Sequence, residues 1–209
     1  MFAIISKDAG GAELACRFAL KQKDKFCAAL SGPAIIIFKK KFKNIKIINK
    51  SEAIKKSDWV LCSTGTSSNF EKDGLILAKK NKKKVIAILD HWSDYKCRFV
   101  KKNKIFLPNE IWVTDKYALE LIKKEKFKTK IILKKNLFFK KFKKKITSFK
   151  QNRSKMKNII FLSDPGRKKN YNTFQCLSFF LKNLPSLKLK INKITIRFHP
   201  GERERKINW

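Results

Sequence analysis

Histidine is almost absent from this chain: two occur in 209 residues. Cysteine is sparse as well, and the five present (Cys16, Cys27, Cys62, Cys97 and Cys176) form no CxxC pair. A structural zinc site needs clustered Cys or His ligands, so none is expected. The cysteine count is odd and the thiols are scattered, which predicts reduced, mostly buried side chains rather than a disulfide framework. Long apolar runs are missing too. None approaches the roughly 20 residues that a bilayer-spanning helix requires. The opening residues, Met1-Phe2-Ala3-Ile4-Ile5-Ser6, read as a strand. They lack the basic segment and apolar core of a secretory leader, so a cytoplasmic protein is expected. Acidic residues number 16 against 52 Lys and Arg, for a formal charge of +36.

What the chain does have is apolar material. Hydrophobic residues make up 43%, with 18 phenylalanines, which is enough for a packed core and excludes wholesale disorder. Only seven of the basic residues are arginine; the rest are lysine. Lys, Ile, Asn and Phe share A/T-rich codons, so a biased genome can produce this profile without selection for a polyanion. Such a surface still attracts nucleic acid, anionic lipid and nucleotide phosphates in a salt-dependent way. No recognised nucleic-acid motif is present, so no specific nucleic-acid partner is expected.

Short apolar strands alternate with helical stretches: strands at 2–6, 26–31, 59–64, 85–90, 111–114 and 131–133, and a further candidate at 45–49. Helices are expected over 9–22, 70–81 and 116–126, with Ser51 capping a short one. Strands separated by such helices predict βαβ units, a parallel sheet and an α/β fold. Right-handed crossovers then gather every strand-to-helix loop at one sheet edge, where open α/β sheets bind ligands. Residues 134–157 are strongly basic with Phe138, Phe142 and Phe149 at helical spacing. That segment reads as an amphipathic helix docked by its Phe face, or as a peripheral contact with an anionic membrane. After a linker at 151–157 a second αβ pattern begins, with strands at 158–163 and 191–198 around a helix at 172–183.

The loops carry the chemistry. Asp8-Ala9-Gly10-Gly11-Ala12-Glu13 follows the first strand and opens a helix; its glycines allow close backbone approach to a sugar or phosphate. Thr64-Gly65-Thr66-Ser67 offers hydroxyls and backbone N–H groups at a helix start, or simply caps it. Asp90-His91-Trp92-Ser93-Asp94-Tyr95-Lys96-Cys97-Arg98 is the densest constellation. Asp90 can orient or charge-stabilise His91, and either can act as general base on a hydroxyl. Trp92 or Tyr95 can stack on a sugar ring, with Arg98 beside them. Arg197-Phe198-His199-Pro200-Gly201-Glu202 places a cation and the second imidazole past another strand, where a nucleotide diphosphate would lie.

These motifs together resemble the GT-B superfamily of nucleotide-sugar glycosyltransferases, an architecture shared with UDP-N-acetylglucosamine 2-epimerases. Arg197-Phe198-His199-Pro200 is similar to the His-Pro motif of bacterial sialyltransferases and of capsule polymerases. The resemblance implies a Rossmann-like, acceptor-side domain over 1–150 and a partial nucleotide-sugar-binding domain over 157–209, completed by a partner chain or a further segment. It implies a glycosyltransferase of cell-surface polysaccharide biosynthesis, with a nucleotide sugar as co-substrate, a glycan acceptor and no other cofactor or metal. Asp90 and His91 would be catalytic. Arg197, His199, Gly201 and Glu202 would hold the donor phosphate. Asp8, Gly10, Gly11, Glu13, Thr64, Gly65, Thr66, Ser67, Trp92, Tyr95 and Arg98 would contact substrate. A UDP-sugar 2-epimerase and a non-catalytic remnant of a longer protein are the alternatives.

Overall fold

The computed structural model describes residues 1–66, 68–146, 156–163 and 173–198. The chain divides into two compact units, Met1–Ser148 and Phe149–Trp209.

The first unit is built on a six-stranded, wholly parallel sheet. Its strands are β1 (Phe2–Ser6), β2 (Phe26–Leu30), β3 (Trp59–Ser63), β4 (Lys84–Ile88), β7 (Glu110–Val113) and β8 (Lys130–Leu133). Their order across the sheet is β2-β1-β3-β4-β7-β8. Between β4 and β7 lies a small antiparallel hairpin of β5 (Val100–Lys101) and β6 (Lys104–Ile105). This is a doubly wound, Rossmann-like α/β fold whose strand order reverses between β1 and β3. The helices are α1 (Ala9–Ala19), α2 (Pro33–Lys39), α3 (Lys50–Lys55), α4 (Phe70–Lys80), α5 (Tyr95–Phe99), α6 (Lys116–Lys124) and α7 (Leu137–Ile146).

Alternating side chains make two cores from one set of strands. Ala3 and Ile5 of β1, Val60 of β3, Val85 and Ala87 of β4 and Ile111 of β7 face one way, beneath α3, α4 and α6. Phe2 and Ile4, Leu61, Ile86 and Ile88, and Trp112 face the other, beneath α1 and α2. Phe2 stacks on Trp59 with centroids 4.7 Å apart. The helices change face where the winding direction changes, as right-handed crossovers from a switch at β1/β3 require. Strands buried on both faces read as continuous apolar runs, which is why they were visible in the sequence.

Two local readings need correction, and one element was not read at all. Residues 45–49 form no strand; a single bridge joins Ala28 to Ile47 before the chain turns into α3. Asn49, not Ser51, caps α3, its side chain accepting from Glu52 N at 2.8 Å. The β5–β6 hairpin turns through Lys102 and Asn103, both at positive φ (46° and 59°), in place of the Asn-Gly pair that would have announced it.

All five cysteines are free. Cys16 and Cys62 are buried, Cys27 and Cys176 half-buried and Cys97 exposed. Burial pushes the Cys16 thiol up to about 11, so it is inert at neutral pH. No helix among the described residues is long and apolar enough to cross a membrane.

The second unit pairs β9 (Lys157–Leu162) with β10 (Ile191–Arg197) in parallel. They are joined through α8 (Thr173–Asn183) and a 3-10 turn at Leu184–Leu187. Phe161 meets Phe180 of α8 at 5.4 Å, and Leu177 and Leu184 are buried.

Candidate functional site

The first unit's site is built where the sheet reverses. β1 feeds α1 toward β2 on one side, while β3 lies on its other side, so the loops after β1 and β3 diverge and leave a crevice. The loop after β4 borders the same place. Four charged side chains meet there.

Arg98, from α5, is the organiser. Its side chain is 6% exposed. Nη1 donates to Thr64 O at 3.0 Å, to Thr64 Oγ1 at 3.2 Å and to Asp90 Oδ1 at 3.2 Å, and Nε donates to Ser93 O at 3.4 Å. One guanidinium thus ties the β3 loop to the β4 loop. Thr64 also reaches Ile88 O through its hydroxyl, at 3.4 Å. A buried guanidinium is tolerated when its donors are met and its charge is paired.

Asp90 is the partner. Burial pushes its carboxyl above the usual range; the Arg98 cation opposes this and the nearby Asp8 carboxylate adds to it. Its carboxylate faces the first turn of α1. A Cβ at Gly10 would collide with Asp90 Oδ2 and lie 3.0 Å from Asp90 Cγ. Gly10 thus leaves room for the approach of this carboxylate. Gly11 is fitted as tightly: a Cβ there would lie 2.6 Å from Ser63 Cβ. The start of α1, which the sequence offered to a sugar or phosphate, faces the protein's own carboxylate.

Asp8 caps α1, with Oδ1 accepting from Ala9 N at 3.0 Å. Glu71, in the first turn of α4, accepts from Lys7 N at 2.8 Å and Asp8 N at 3.0 Å. Gly65 lies against both: a Cβ there would sit 3.6 Å from Asp8 Oδ2 and from Glu71 Oε2. Asp8, Glu71 and Asp90 face one Arg98 here, so acidic side chains outnumber basic ones and the crevice suits groups that donate hydrogen bonds, hydroxyls above all. Among the described residues no group of three His, Cys, Asp or Glu is arranged to hold a metal.

His91 stands outside this cluster. It is exposed, and its Nδ1 contacts Ser93 Oγ at 3.2 Å. The Ser93 hydroxyl donates to Asp94 Oδ2 at 3.0 Å. With that hydrogen committed, the His91 contact is one in which Nδ1–H donates to Ser93 Oγ. No hydrogen bond joins Asp90 to His91; Asp90 is held by Arg98, and the nearby His91 acts on it through charge alone. Trp92 is 57% exposed and its Nε1 donates to Asp115 Oδ2 at 2.8 Å, which ties the loop after β4 to the start of α6. Tyr95 is 2% exposed and packs in the core with Phe99. It cannot stack on a ligand, which leaves Trp92 as the exposed aromatic of the two.

The remaining candidates separate. Thr66 is half-buried in the β3 loop. Glu13 lies a turn along α1, one carboxylate oxygen buried without a hydrogen bond, and no hydrogen bond joins it to the cluster among the described residues. In the second unit Arg197 ends β10, exposed, its carbonyl accepting from Ser163 N at 3.0 Å. Ser67, His199, Gly201 and Glu202 lie outside the described residues. Glu71 was not anticipated. It reads in sequence as an ordinary acid at a helix start, and nothing in linear order shows it reaching a loop 63 residues away. A separate cleft of about 450 Å³ lies at the opposite end of β2, lined by Phe26, Phe42, Ile45, Lys43 and Lys46, and none of the candidates lines it.

No family model matches this chain, and neither the curated proteins nor the solved structures compared with it gave a match, so the site is read from its own geometry.

Proposed function

We propose that this protein is a glycosyltransferase-like enzyme of surface-polysaccharide assembly, with its acceptor site at the β1/β3 crevice and Asp90 as the general base. The observation that carries the reading is the Asp90 carboxylate at the sheet's switch point. It is buried enough to hold a proton more tightly than usual, yet charge-paired with Arg98. A base that must accept a hydroxyl proton near neutral pH needs both properties. The acid-lined crevice supports a hydroxyl-bearing glycan acceptor, and Trp92 supplies a flat apolar face of the kind sugar rings stack on. The nucleotide-activated donor belongs in this reading to the second unit, with Arg197, His199, Gly201 and Glu202 on its phosphates.

The test is titration with CMP, UDP and CDP at near-physiological salt, followed by a transfer assay with the matching nucleotide sugars. One nucleotide should bind, and His199→Ala should weaken it. Asp90→Asn should abolish transfer while leaving that nucleotide affinity unchanged. Equal binding of all three nucleotides, insensitive to His199→Ala, would reduce the donor site to general charge attraction and sink the proposal. Release of free N-acetylmannosamine from its UDP-sugar precursor would replace transfer with epimerisation.

A further inference from the structure

The first unit carries a surface that the crevice does not use. Helix α7 reads Leu137-Phe138-Phe139-Lys140-Lys141-Phe142-Lys143-Lys144-Lys145-Ile146. Asn136 caps it, Oδ1 accepting from Phe139 N at 2.9 Å. Among its described side chains, Phe138 packs against the core beneath α1 and Leu137 is half-buried. Phe142 stacks on Phe138 at 6.2 Å but stays 48% exposed, and Phe139 is 58% exposed. Leu133, at the end of β8, is exposed beside them in sequence, as are Lys134, Lys135 and Lys140.

The sequence reading treated a docked helix and a membrane-facing helix as alternatives. Phe149 lies outside the described residues; the three rings of α7 separate by burial. One ring anchors the helix to the fold, and two remain outside, set among lysines and with no acidic residue anywhere from 126 to 163. Exposing two large rings on a ten-residue helix carries a hydration cost that one kind of neighbour removes while also meeting the charge: an interface apolar below and anionic above. A basic face with protruding aromatics is the composition of helices that lie in the headgroup layer of anionic bilayers. Nucleic acid would satisfy the lysines, but readers of single strands stack bases along a groove, and these rings stand on one turn of a helix.

We propose that α7 seats the protein on an anionic lipid bilayer, with Phe139 and Phe142 entering the headgroup layer and Lys134, Lys135 and Lys140 contacting lipid phosphates. This does not depend on the transferase reading.

The experiment is co-sedimentation of the full chain with vesicles of phosphatidylcholine alone and of equimolar phosphatidylcholine and phosphatidylglycerol, at low and at elevated salt. Wild type, the double variant Phe139→Ser/Phe142→Ser and the control Ile36→Ser/Phe179→Ser carry the same charge, so general attraction is equal in all three. The control removes other exposed apolar groups from α2 and α8. Wild type should bind the anionic vesicles and ignore the neutral ones. The double variant should bind them at least tenfold more weakly, the gap widening with salt, and the control should match wild type. Phe142 touches Phe138, so Phe139→Ser alone serves as a second variant that leaves the docked ring untouched, and should lose several-fold. Equal binding of wild type and both Phe139 variants would overturn the proposal. So would an equal loss in the control, or a tighter, Phe139-dependent association with single-stranded RNA at matched phosphate.

Discussion

The two units solve the same problem with different amounts of chain. Both are parallel βαβ arrangements with comparable strands: Phe-Ala-Ile-Ile-Ser in β1, Lys-Asn-Ile-Ile-Phe-Leu in β9. In β1 every residue is buried. In β9 no residue is, and β10 is mostly exposed as well. Ile160 is 58% exposed and Leu162 65%. The difference is not hydrophobicity but neighbours. Six strands give two helical layers something to cover; the two strands and one helix described in the second unit cover a single face of their sheet.

The largest effect expected follows from that contrast. Ile4→Ala, at a fully buried position of β1, should cost about 2–5 kcal/mol of stability. Ile160→Ala, the same chemical change in β9, should fall within about 0.5 kcal/mol. Urea unfolding of both variants checks this. A cost at Ile160 equal to that at Ile4 would break the comparison, and would mean that this face of the second unit is covered in solution.

Within the first unit the crevice should behave like core. Arg98→Leu removes the cation that faces Asp90 and should cost about 3–5 kcal/mol, because an uncompensated carboxylate stays buried. Adding Asp90→Asn should recover part of that loss, and the difference from additivity measures their coupling. Additive losses would show that the two groups do not act as a pair. Gly10→Ala should cost about 1–3 kcal/mol, since the new methyl group and the Asp90 carboxylate compete for one space. Combined with Asp90→Ala, which clears that space, the Gly10→Ala penalty should shrink; an undiminished penalty would place its cause elsewhere.

The same contrast explains what could be read in advance. Strands covered on both faces spell continuous apolar runs, so β1, β3 and β4 and the loops that follow them could be placed, and with them Asp8, Gly10, Gly65 and Asp90. What escaped depended on direction rather than position. Asp90 and His91 are adjacent, but consecutive residues leaving a strand point apart, and only Asp90 turns toward Arg98. Tyr95 and Trp92 are three residues apart; the five-residue α5 turns Tyr95 into the core, while Asp115 holds Trp92 outside. Glu71 acts through the fold, reaching β1's loop across more than sixty residues. The β5–β6 hairpin escaped because Lys and Asn occupy a turn that usually signals itself with glycine.

The smallest effect concerns pH, and it separates the units again. The described residues of the second unit contain no Asp or Glu, whereas the first unit holds carboxylates displaced in both directions, Glu110 and Asp90 among them. Lys84 beside Glu110 holds that carboxyl low, so its contribution is present above the ordinary carboxylate range and is lost as pH falls through its lowered value. Asp90 runs the other way. Burial raises its folded-state value, so the folded state binds the proton more tightly than the unfolded chain does. That contribution is full below the ordinary carboxylate range and is lost as pH rises through the raised value. Asp90→Asn removes the ionisation and leaves Arg98 unpaired at every pH, a constant offset. The stability of wild type minus that of Asp90→Asn should therefore decline from acid toward neutral pH, as measured by urea midpoints across that range. A difference that grows with pH would mean that the Arg98 pair outweighs burial at Asp90. The crevice would then hold a carboxylate stabilised as an anion, suited to binding a hydroxyl and too weakly basic to take its proton.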